Sequence, residues 1–426
     1  MSNSFNFVEK KLANFLSSFP AIKKTIKKYY SYLSFILNRK DYRYKSKYKI
    51  FKVHIPEHET FFGYYDKCPD NGMGNILVYG SKYKTSDRPS KDKSISLFLY
   101  DLNNNSYKKI EDIKSFNWQQ GSRAHWLSSD LFIFNNFCSI SNSYISKVYS
   151  IKNSKVISKY KYSVQDSYSD KYFLSINYSR LMALRPDYGY RNLDEDKNYN
   201  IDNLNDDGIW YTDISSNSCN LLLSLSDIVS FKFKNNCEFK HKVNHVMISP
   251  NGEKFIFMHR YLYNNKRYDR LLLANKNGEL LSVLAENIMV SHCAWIDNNQ
   301  IIGYLKGTNN KNGYWIIDIN TKNYNSKLQK KFDVYGDGHP TTCPAFFVTD
   351  TYPNKSRYQK LLKASYDGSL FIELGEFFHG FEYNEETRCD LHPRLSHNVD
   401  MVFFDSVYTG ERNLHYLYFS EELGDD

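Results

Sequence analysis

The chain has 426 residues, of which 41% are hydrophobic and 24% are charged, and this composition supplies a large buried core and excludes a disordered tail protein. Aromatic residues make up 17% of the chain, and Tyr and Phe favour pleated strands over helices. The net charge is +9, but residues 1–50 contain twelve basic and two acidic residues, so the remaining chain is close to neutral. A protein that binds nucleic acid would carry a basic surface on its main domain. Because the chain after residue 50 is nearly neutral, we expect no nucleic-acid partner.

The N-terminal segment, residues 1–50, has apolar residues at steps of three or four with lysines between them, which is the pattern of an amphipathic helix. These apolar positions are Leu12, Phe15, Leu16, Phe19, Ile22, Ile26, Tyr29, Leu33 and Ile36. Pro20 is expected to divide the run into two helices. A basic amphipathic helix can lie in an anionic membrane surface, and we expect residues 9–49 to do so. Packing of the helix on the body and a flexible tail are the alternatives.

Signals for export and for membrane spanning are not found in this sequence. Seven cysteines lack paired spacing, the first residues lack a secretory pattern, and no run of about 18 apolar residues occurs. We therefore expect a cytoplasmic chain with reduced thiols, peripheral on the inner membrane if its N-terminal segment binds there.

Four histidines, His245, His292, His339 and His392, begin similar segments at spacings of 47, 47 and 53 residues. The residues of each segment predict a strand, a polar turn and a second, apolar strand. His125 begins a similar segment that matches this pattern less well. Short strands that repeat about every 40–50 residues are typical of propeller blades. We predict an all-β fold, with a seven-bladed β-propeller over residues 51–426 and an amphipathic helical arm over residues 1–50. Candidate blades start near residues 51, 115, 157, 208, 241, 288, 336 and 388, so eight blades are the alternative.

The innermost strand of each blade lines the central channel, so the four repeated histidines are expected to converge there. Imidazoles near one axis can bind a divalent metal or supply a base beside it. The alternative is structural, because an imidazole at this position can simply hydrogen-bond to the neighbouring blade.

Arginines near the blade openings can pair with substrate carboxylates or phosphates, and the alternative for each is a surface position or a salt bridge. The predicted catalytic arginines are Arg180, Arg185 and Arg260, and those predicted to bind substrate are Arg123, Arg388 and Arg394. Tyr64, Tyr65 and Asp66 lie in an aromatic segment suited to stacking on sugars, although core packing would also explain such a segment. Asp390 is predicted to orient a histidine or to lie beside a metal.

Three sets of segments resemble known propellers. The segment His245-Val-Met-Ile-Ser-Pro-Asn-Gly-Glu-Lys resembles TolB-like repeats. His292, His339 and Arg388-Cys-Asp-Leu-His392-Pro together resemble the oligogalacturonate-lyase type of seven-bladed propeller. The segments that begin at His58, Trp118 and Arg185 resemble propeller proteins of bacterial capsule and O-antigen clusters, which are often labelled glycosyltransferases.

The lyase resemblance implies a manganese-type ion held near the axis by three histidines and a glutamine. It makes His292 and His339 the best matches to the ligands and His245 a catalytic neighbour. The predicted metal ligands are His292, His339 and His392. The chain departs from that pattern where Gly336-Asp-Gly-His339-Pro replaces the clustered glutamine and paired histidines.

The predicted function is that of a carbohydrate-active enzyme of bacterial surface-polysaccharide metabolism. It would act by lyase-like elimination on a uronate-containing oligo- or polysaccharide, free or lipid-linked. The alternatives are a membrane-associated glycosyltransferase and a non-catalytic propeller that binds glycan or scaffolds other enzymes.

Overall fold

The computed structural model describes residues 20–193, 203–232, 240–263, 266–286, 289–307, 311–325 and 327–423. Within these ranges, seven antiparallel sheets of four or five strands follow one another along the chain. Each sheet contacts the next one along the chain, and the seventh sheet contacts the first. The predicted seven-bladed β-propeller is thus confirmed, and the alternative of eight blades is wrong.

The first four blades use four strands each, in chain order. Two short strands precede them, β1 (Tyr44–Lys45) and β2 (Phe51–Lys52). Blade 1 comprises β3 (Glu59–Phe61), β4 (Asn75–Ser81), β5 (Ile95–Asp101) and β6 (Ser106–Ile113). Blade 2 comprises β7 (His125–Trp126), β8 (Leu131–Cys138), β9 (Ser143–Ser150) and β10 (Lys155–Tyr160). Blade 3 comprises β11 (Val164–Tyr168), β12 (Tyr172–Ile176), β13 (Gly208–Asp213) and β14 (Cys219–Ser224). Blade 4 comprises β15 (Lys240–Ile248), β16 (Lys254–Tyr263), β17 (Lys266–Asn275) and β18 (Leu280–Glu286).

The last three blades include both short N-terminal strands. Blade 5 comprises β19 (Val290–Trp295), β20 (Gln300–Lys306), β21 (Asn312–Asp318) and β22 (Tyr324–Asn325). Blade 6 comprises β23 (Thr341–Thr342), β24 (Phe346–Asp350), β25 (Tyr358–Ser365) and β26 (Phe371–Phe378), with β1 at its outer edge. Blade 7 comprises β27 (Arg394–Leu395), β28 (Met401–Ser406) and β29 (Asn413–Tyr418), completed by β2.

The ring closes by pairing the two ends of the body. In blade 7, Phe51 pairs with Tyr416 and Lys52 pairs with His415. An N-terminal strand therefore supplies the outer edge of a blade whose other strands are C-terminal. Separating the ends would expose the apolar faces of blades 7 and 1.

Burial along the strands follows from the stacking of blades. The middle strand β16 is buried over most of its length, because a neighbouring sheet covers each of its faces. The outer strand β6 is mostly exposed and has the polar sequence Ser-Tyr-Lys-Lys-Ile-Glu-Asp-Ile. The turn between β17 and β18 uses Gly278 at φ +86°, a backbone conformation that favours glycine.

The candidate blade start near residue 208 is wrong. Residue 208 begins β13, which is the third strand of blade 3 and pairs with β12. The segment between β12 and β13 contains helix α2 (Tyr178–Leu184) and the turn Pro186–Tyr188. This insertion separates two strands of one blade and makes them look like two repeats in the sequence.

The described helices lie outside the sheets. Helix α1 (Pro20–Leu37) precedes the propeller, α3 (Leu225–Ser230) follows blade 3, and α4 (Gln329–Phe332) follows blade 5. Helix α1 begins at Pro20, where the second helix of the N-terminal segment was predicted to begin, while residues 9–19 lie outside the described residues. In the described part of the chain, every helix is too short or too polar to cross a membrane.

Candidate functional site

The four repeated histidines meet at one place. His245 and His292 lie in the inner strands β15 and β19, and His339 and His392 lie two residues before β23 and β27. The ring centroids are 6.2 Å apart for His245 and His292, 4.0 Å for His292 and His339, and 4.3 Å for His339 and His392. All four side chains are buried. We call these four residues the histidine cluster.

Unusual backbone conformations occur at two members of the histidine cluster. His245 has φ 52° and His392 has φ 44°, in the left-handed region that non-glycine residues rarely adopt. The pairing of β15 with β16 also shifts register between Asn244 and Met247, as it does at a β-bulge. Such irregularities redirect a side chain and are frequent at functional sites.

Tyr64 and Tyr65 pack directly against the histidine cluster. The Tyr64 ring lies 5.2 Å from His245 and 4.9 Å from His392, and its Oη is 3.3 Å from His245 Nε2. The Tyr65 ring lies 5.4 Å from His339, and its hydroxyl donates to the Cys293 carbonyl. Both tyrosines are buried, so in this structure they pack against imidazoles and present no open platform for a sugar.

Carboxylates hold two of the imidazoles in fixed orientations. His339 Nδ1 lies 2.8 Å from Asp350 Oδ1, and the two oxygens of Asp350 also accept the backbone N–H groups of His339 and His392. Burial by itself would lower the pKa of His339, but the Asp350 carboxylate raises it above its ordinary value. His292 Nδ1 lies 3.2 Å from Asp337 in the same way. A proton on Nδ1 leaves the Nε2 lone pair available, as in many metal-binding histidines.

His339, His392 and Asp390 form the best candidate metal site among the described residues. One ligand atom from each lies within 4.8 Å of the others, and all three residues are buried. The Nε2 atoms of His339 and His392 have no hydrogen-bond partner there, which is costly for a buried polar atom unless a ligand satisfies it. Two imidazoles and one carboxylate are a suitable donor set for a divalent transition metal, so these residues fit such an ion.

Arg388 holds the carboxylate of this candidate site. Its Nε lies 2.8 Å from both oxygens of Asp390, and one of its terminal nitrogens is 2.6 Å from Oδ2. Burial alone would raise the pKa of Asp390, but the Arg388 guanidinium outweighs it and lowers the pKa. Asp390 is therefore ionised at neutral pH, which is the form that binds a cation.

The three predicted metal ligands and the three residues of the candidate metal site, which we call the donor group, differ in one residue. His339 and His392 belong to both, and His292 contacts His339 from the side. Asp390, which was expected to orient a histidine or lie beside a metal, is itself in the donor group. Asp337 and Asp350 were missed, although Asp337 precedes His339 by two residues and Asp350 ends the strand that returns to the same end of blade 6.

Four of the predicted arginines are buried in ion pairs. Their partners are Asp66 for Arg123, Asp207 for Arg180, Asp269 for Arg260 and Asp405 for Arg394. Arg123 is bidentate, with two N–O distances of 2.8 Å to Asp66. Arg180 also donates to the carbonyls of His241 and Asn203. The pairs of Arg123 and Arg180 join separate segments of the chain, whereas Arg260 and Arg394 pair with carboxylates on the neighbouring strand of their own blade.

Arg185 and Arg388 occupy a different environment, beside the histidine cluster and partly exposed. About a quarter of each side chain is exposed, at 25% and 27%. Arg185 lies over the ring of Tyr188, which contacts His245, and Arg388 lies over the ring of Tyr352, which contacts His339. Two partly exposed guanidinium groups therefore flank the cluster, Arg185 paired with Asp187 and Arg388 paired with Asp390. Their remaining N–H groups can bind carboxylates.

The region around Arg185 is strongly electropositive. Burial, together with the Arg260 and Arg185 guanidinium groups, lowers the pKa of Lys242 to about 7. The same two arginines and burial lower the pKa of His245 well below its ordinary value. His245 is therefore neutral at neutral pH.

Comparisons with known proteins show the fold. No protein-family model and no curated protein matches this chain. The oligogalacturonate lyase of Vibrio parahaemolyticus is similar in structure, with a TM-score of 0.59 and 12% identity over 89% of this chain and 97% of that one. The β-propeller domain of the Trilobed protease of Pyrococcus furiosus has a TM-score of 0.51 and 10% identity over 86% and 98%. The acylaminoacyl peptidase of Pyrococcus horikoshii has a TM-score of 0.50 and 14% identity over 83% and 51%. The expected structural resemblance to an oligogalacturonate-lyase propeller is confirmed, and at these identities it concerns the fold.

Proposed function

We propose that this protein is a metal-dependent carbohydrate lyase, which cleaves a uronate-containing glycan by β-elimination. The observation that carries the proposal is the pair of buried Nε2 atoms of His339 and His392, both without a hydrogen-bond partner and both close to the Asp390 carboxylate. The segments that resemble propellers of capsule and O-antigen clusters favour a bacterial surface polysaccharide as the substrate.

His339, His392 and Asp390 would hold the divalent cation. When bound, such an ion would draw electron density from a uronate carboxylate and stabilise the negative charge that develops during proton removal. Asp350 and Arg388 would position two of these ligands through the hydrogen bonds described above.

Arg185 and Arg388 would bind the anionic substrate. Their guanidinium groups are partly exposed beside the histidine cluster, and planar guanidinium groups match carboxylates in shape and charge. Binding through these arginines would orient the sugar ring so that its C5–H bond faces an acceptor.

His245 is the best candidate for the proton acceptor. Its low pKa keeps the ring neutral, and its Nε2 lies 3.3 Å from the Tyr64 hydroxyl, which can relay a proton. In the elimination, the C5–H bond breaks as the base takes the proton, a C4–C5 double bond forms, and the C4–O bond breaks. Water supplies the proton that the leaving oxygen requires.

The direct test is to incubate the purified protein with oligogalacturonate and Mn²⁺ and to follow the ultraviolet absorbance of the unsaturated product. We expect a rise that stops when a chelator is added. Absence of product with Mn²⁺, Ca²⁺, Mg²⁺ and Zn²⁺, and with a panel of other uronate polymers, would contradict the proposal. Turnover of a sugar nucleotide with a lipid acceptor would instead identify a glycosyltransferase, and glycan binding without turnover would identify a binding propeller.

A further inference from the structure

Helix α1 carries an apolar face that the propeller does not cover. Ile26, Tyr29, Leu33, Ile36 and Leu37 are all exposed, with 60% of Leu33 and 83% of Leu37 accessible. Their spacing of three, four, three and one residues places them on one side of an α-helix. A continuous stripe of five large apolar side chains in water is unusual on a soluble surface and indicates a binding face.

The other side of α1 is docked on blade 6. Ser34 is buried, and the Phe35 ring lies 5.8 Å from Phe378 and 5.5 Å from Phe381. Tyr32 adds an aromatic contact with Phe381 at 5.9 Å. The helix is therefore held on the body through one face while it presents the opposite face outward.

The chain after α1 anchors the helix further along the same blade. Strand β1 pairs with β26, and Lys40 forms an ion pair with Glu376 at 2.5 Å. The backbone N–H of Phe378 donates to the Arg43 carbonyl at 2.8 Å. These bonds limit how far α1 can move relative to blade 6.

The docking position lies at the start of a segment that leads to the histidine cluster. Residues 378–392 connect the outer strand of blade 6 to the inner strand of blade 7 and carry Arg388, Asp390 and His392. Phe378 and Phe381, which contact α1, lie at one end of this connection, and His392 lies in the cluster at the other end. The docking position of α1 and the histidine cluster are thus joined by a single connection of the chain.

Charge identifies the kind of surface that fits this helix. Residues 1–50 carry a net charge of +10, whereas the rest of the chain is nearly neutral. Lys28 and Arg39, near the two ends of the exposed stripe, are both exposed. An exposed apolar stripe beside basic residues matches the boundary between acyl chains and anionic headgroups, where the apolar side chains enter the bilayer and the cations remain at the headgroups.

We propose that α1 is a peripheral membrane anchor, which inserts its exposed stripe into an anionic bilayer while its opposite face stays docked on Phe378 and Phe381. The two alternatives predicted from sequence, membrane binding and docking on the body, then occur together on opposite faces of one helix. This proposal does not depend on the lyase activity and can be tested separately from it.

The test is co-sedimentation of the full-length protein with vesicles of phosphatidylglycerol and phosphatidylcholine, and with vesicles of phosphatidylcholine alone. We expect binding to the anionic vesicles that weakens as salt is raised, because part of the attraction is electrostatic. The variant Leu33→Glu/Leu37→Glu is expected to bind at least about tenfold more weakly, because it removes two inserting side chains and adds like charge. Leu33→Ser/Leu37→Ser is a milder second variant with the same expected direction.

The matched control is Ile140→Glu, which changes an isoleucine that is 99% exposed in the turn between β8 and β9. It should bind vesicles as the unaltered protein does, and all variants should share one unfolding midpoint. Equal binding by the Leu33/Leu37 variants, or no preference for anionic vesicles, would overturn the proposal. So would a dimer in the absence of lipid that the Leu33/Leu37 variants convert to a monomer, since a second copy of the chain would then cover the stripe.

Discussion

The propeller buries two kinds of ionisable side chain, and they differ in what satisfies them. Arg123 and Arg180 each have a carboxylate partner on another part of the chain, so each guanidinium charge is compensated within the protein. In the histidine cluster, by contrast, the Nε2 atoms of His339 and His392 are buried without a hydrogen-bond partner. Both arrangements cost desolvation energy, but only the second leaves lone pairs that a ligand can use. We therefore expect the arginine pairs to contribute to the stability of the ring and the cluster to contribute to its function.

The largest effect is expected at the cluster, from His392→Ala. We expect the elimination rate to fall about a thousandfold, because losing a metal ligand removes several kcal/mol of transition-state stabilisation. Initial rates of product formation and urea denaturation of the same samples would measure activity and folding together.

The control for this change is His125→Ala. His125 also begins a repeat and is buried, but its ring nitrogens contact the Arg123 carbonyl and the Ser167 hydroxyl. We expect this variant to lose stability and to keep the rate of the folded fraction. Full activity in His392→Ala, or equal loss of activity in both variants, would contradict the distinction between buried side chains whose polar atoms are satisfied within the protein and those whose polar atoms are not.

The next effect concerns stability, at the pair of Arg123 and Asp66. We expect Arg123→Met to lower the free energy of unfolding by about 3–5 kcal/mol, because it leaves a buried carboxylate without its partner. Burial alone would raise the pKa of Asp66, but Arg123 lowers it below its ordinary value. The pair therefore stabilises the fold above the unfolded-state pKa of Asp66, and this contribution is lost as pH falls through the lower folded-state pKa.

Urea denaturation of Arg123→Met and of the double variant Arg123→Met/Asp66→Leu would check this expectation. The double variant should recover part of the lost stability, since it removes the unpaired charge. A change below about 1 kcal/mol in the single variant would mean that the pair contributes no more than an exposed salt bridge does.

A smaller effect is expected from Asp350→Asn, which weakens the orientation of His339 without removing a ligand. The affinity for Mn²⁺ should fall about 10–100-fold, as is typical when a partner of a metal-binding histidine is changed. Isothermal titration calorimetry would measure it. Asp337→Asn is the matched comparison, because Asp337 orients His292, which lies outside the donor group, and it should weaken binding less. Equal affinities in all three proteins would argue against the role assigned to Asp350.

The smallest effect is expected from Arg185→Gln, on substrate binding. The Michaelis constant for the uronate substrate should rise roughly tenfold with a smaller change in kcat, because a charge-assisted hydrogen bond to the substrate is lost. Steady-state kinetics would show it, with Arg191→Gln as the control, since Arg191 is exposed to the same extent as Arg185 and is also paired with a carboxylate, that of Glu386. An unchanged Michaelis constant would show that Arg185 does not bind the substrate.

The repeat could be predicted from the sequence because stacked blades demand similar strands at a regular interval. The four repeated histidines, His245, His292, His339 and His392, occupy equivalent positions in four blades. The assumption of a propeller topology was therefore sufficient to predict that their side chains lie close together. The prediction failed at residue 208, because an insertion between β12 and β13 broke the interval without breaking the sheet. A spacing argument cannot distinguish a long loop inside a blade from a boundary between blades.

The partners of the site residues were harder to predict, because they depend on tertiary contacts. Arg123 and Arg394 look like substrate ligands in the sequence, yet Asp66 pairs with Arg123 across 57 residues of the chain, and Asp405 pairs with Arg394 from the next strand of blade 7. Asp350 follows its partner His339 by eleven residues, so a hairpin returning to the same end of the blade could have suggested it. The sequence pattern predicted which histidines lie close together. The hydrogen-bond and ion-pair partners of the site residues could be identified only from the structure.

The central claim is that His339, His392 and Asp390 bind a divalent metal, and elemental analysis of the purified protein tests it most directly. We expect about one equivalent of a transition metal per chain in the unaltered protein and almost none in His339→Ala, with both proteins folded, because structural and catalytic transition-metal sites need at least three protein ligands. Equal metal content in the two proteins, or no metal bound by the unaltered protein even after incubation with Mn²⁺ and Zn²⁺, would contradict the account.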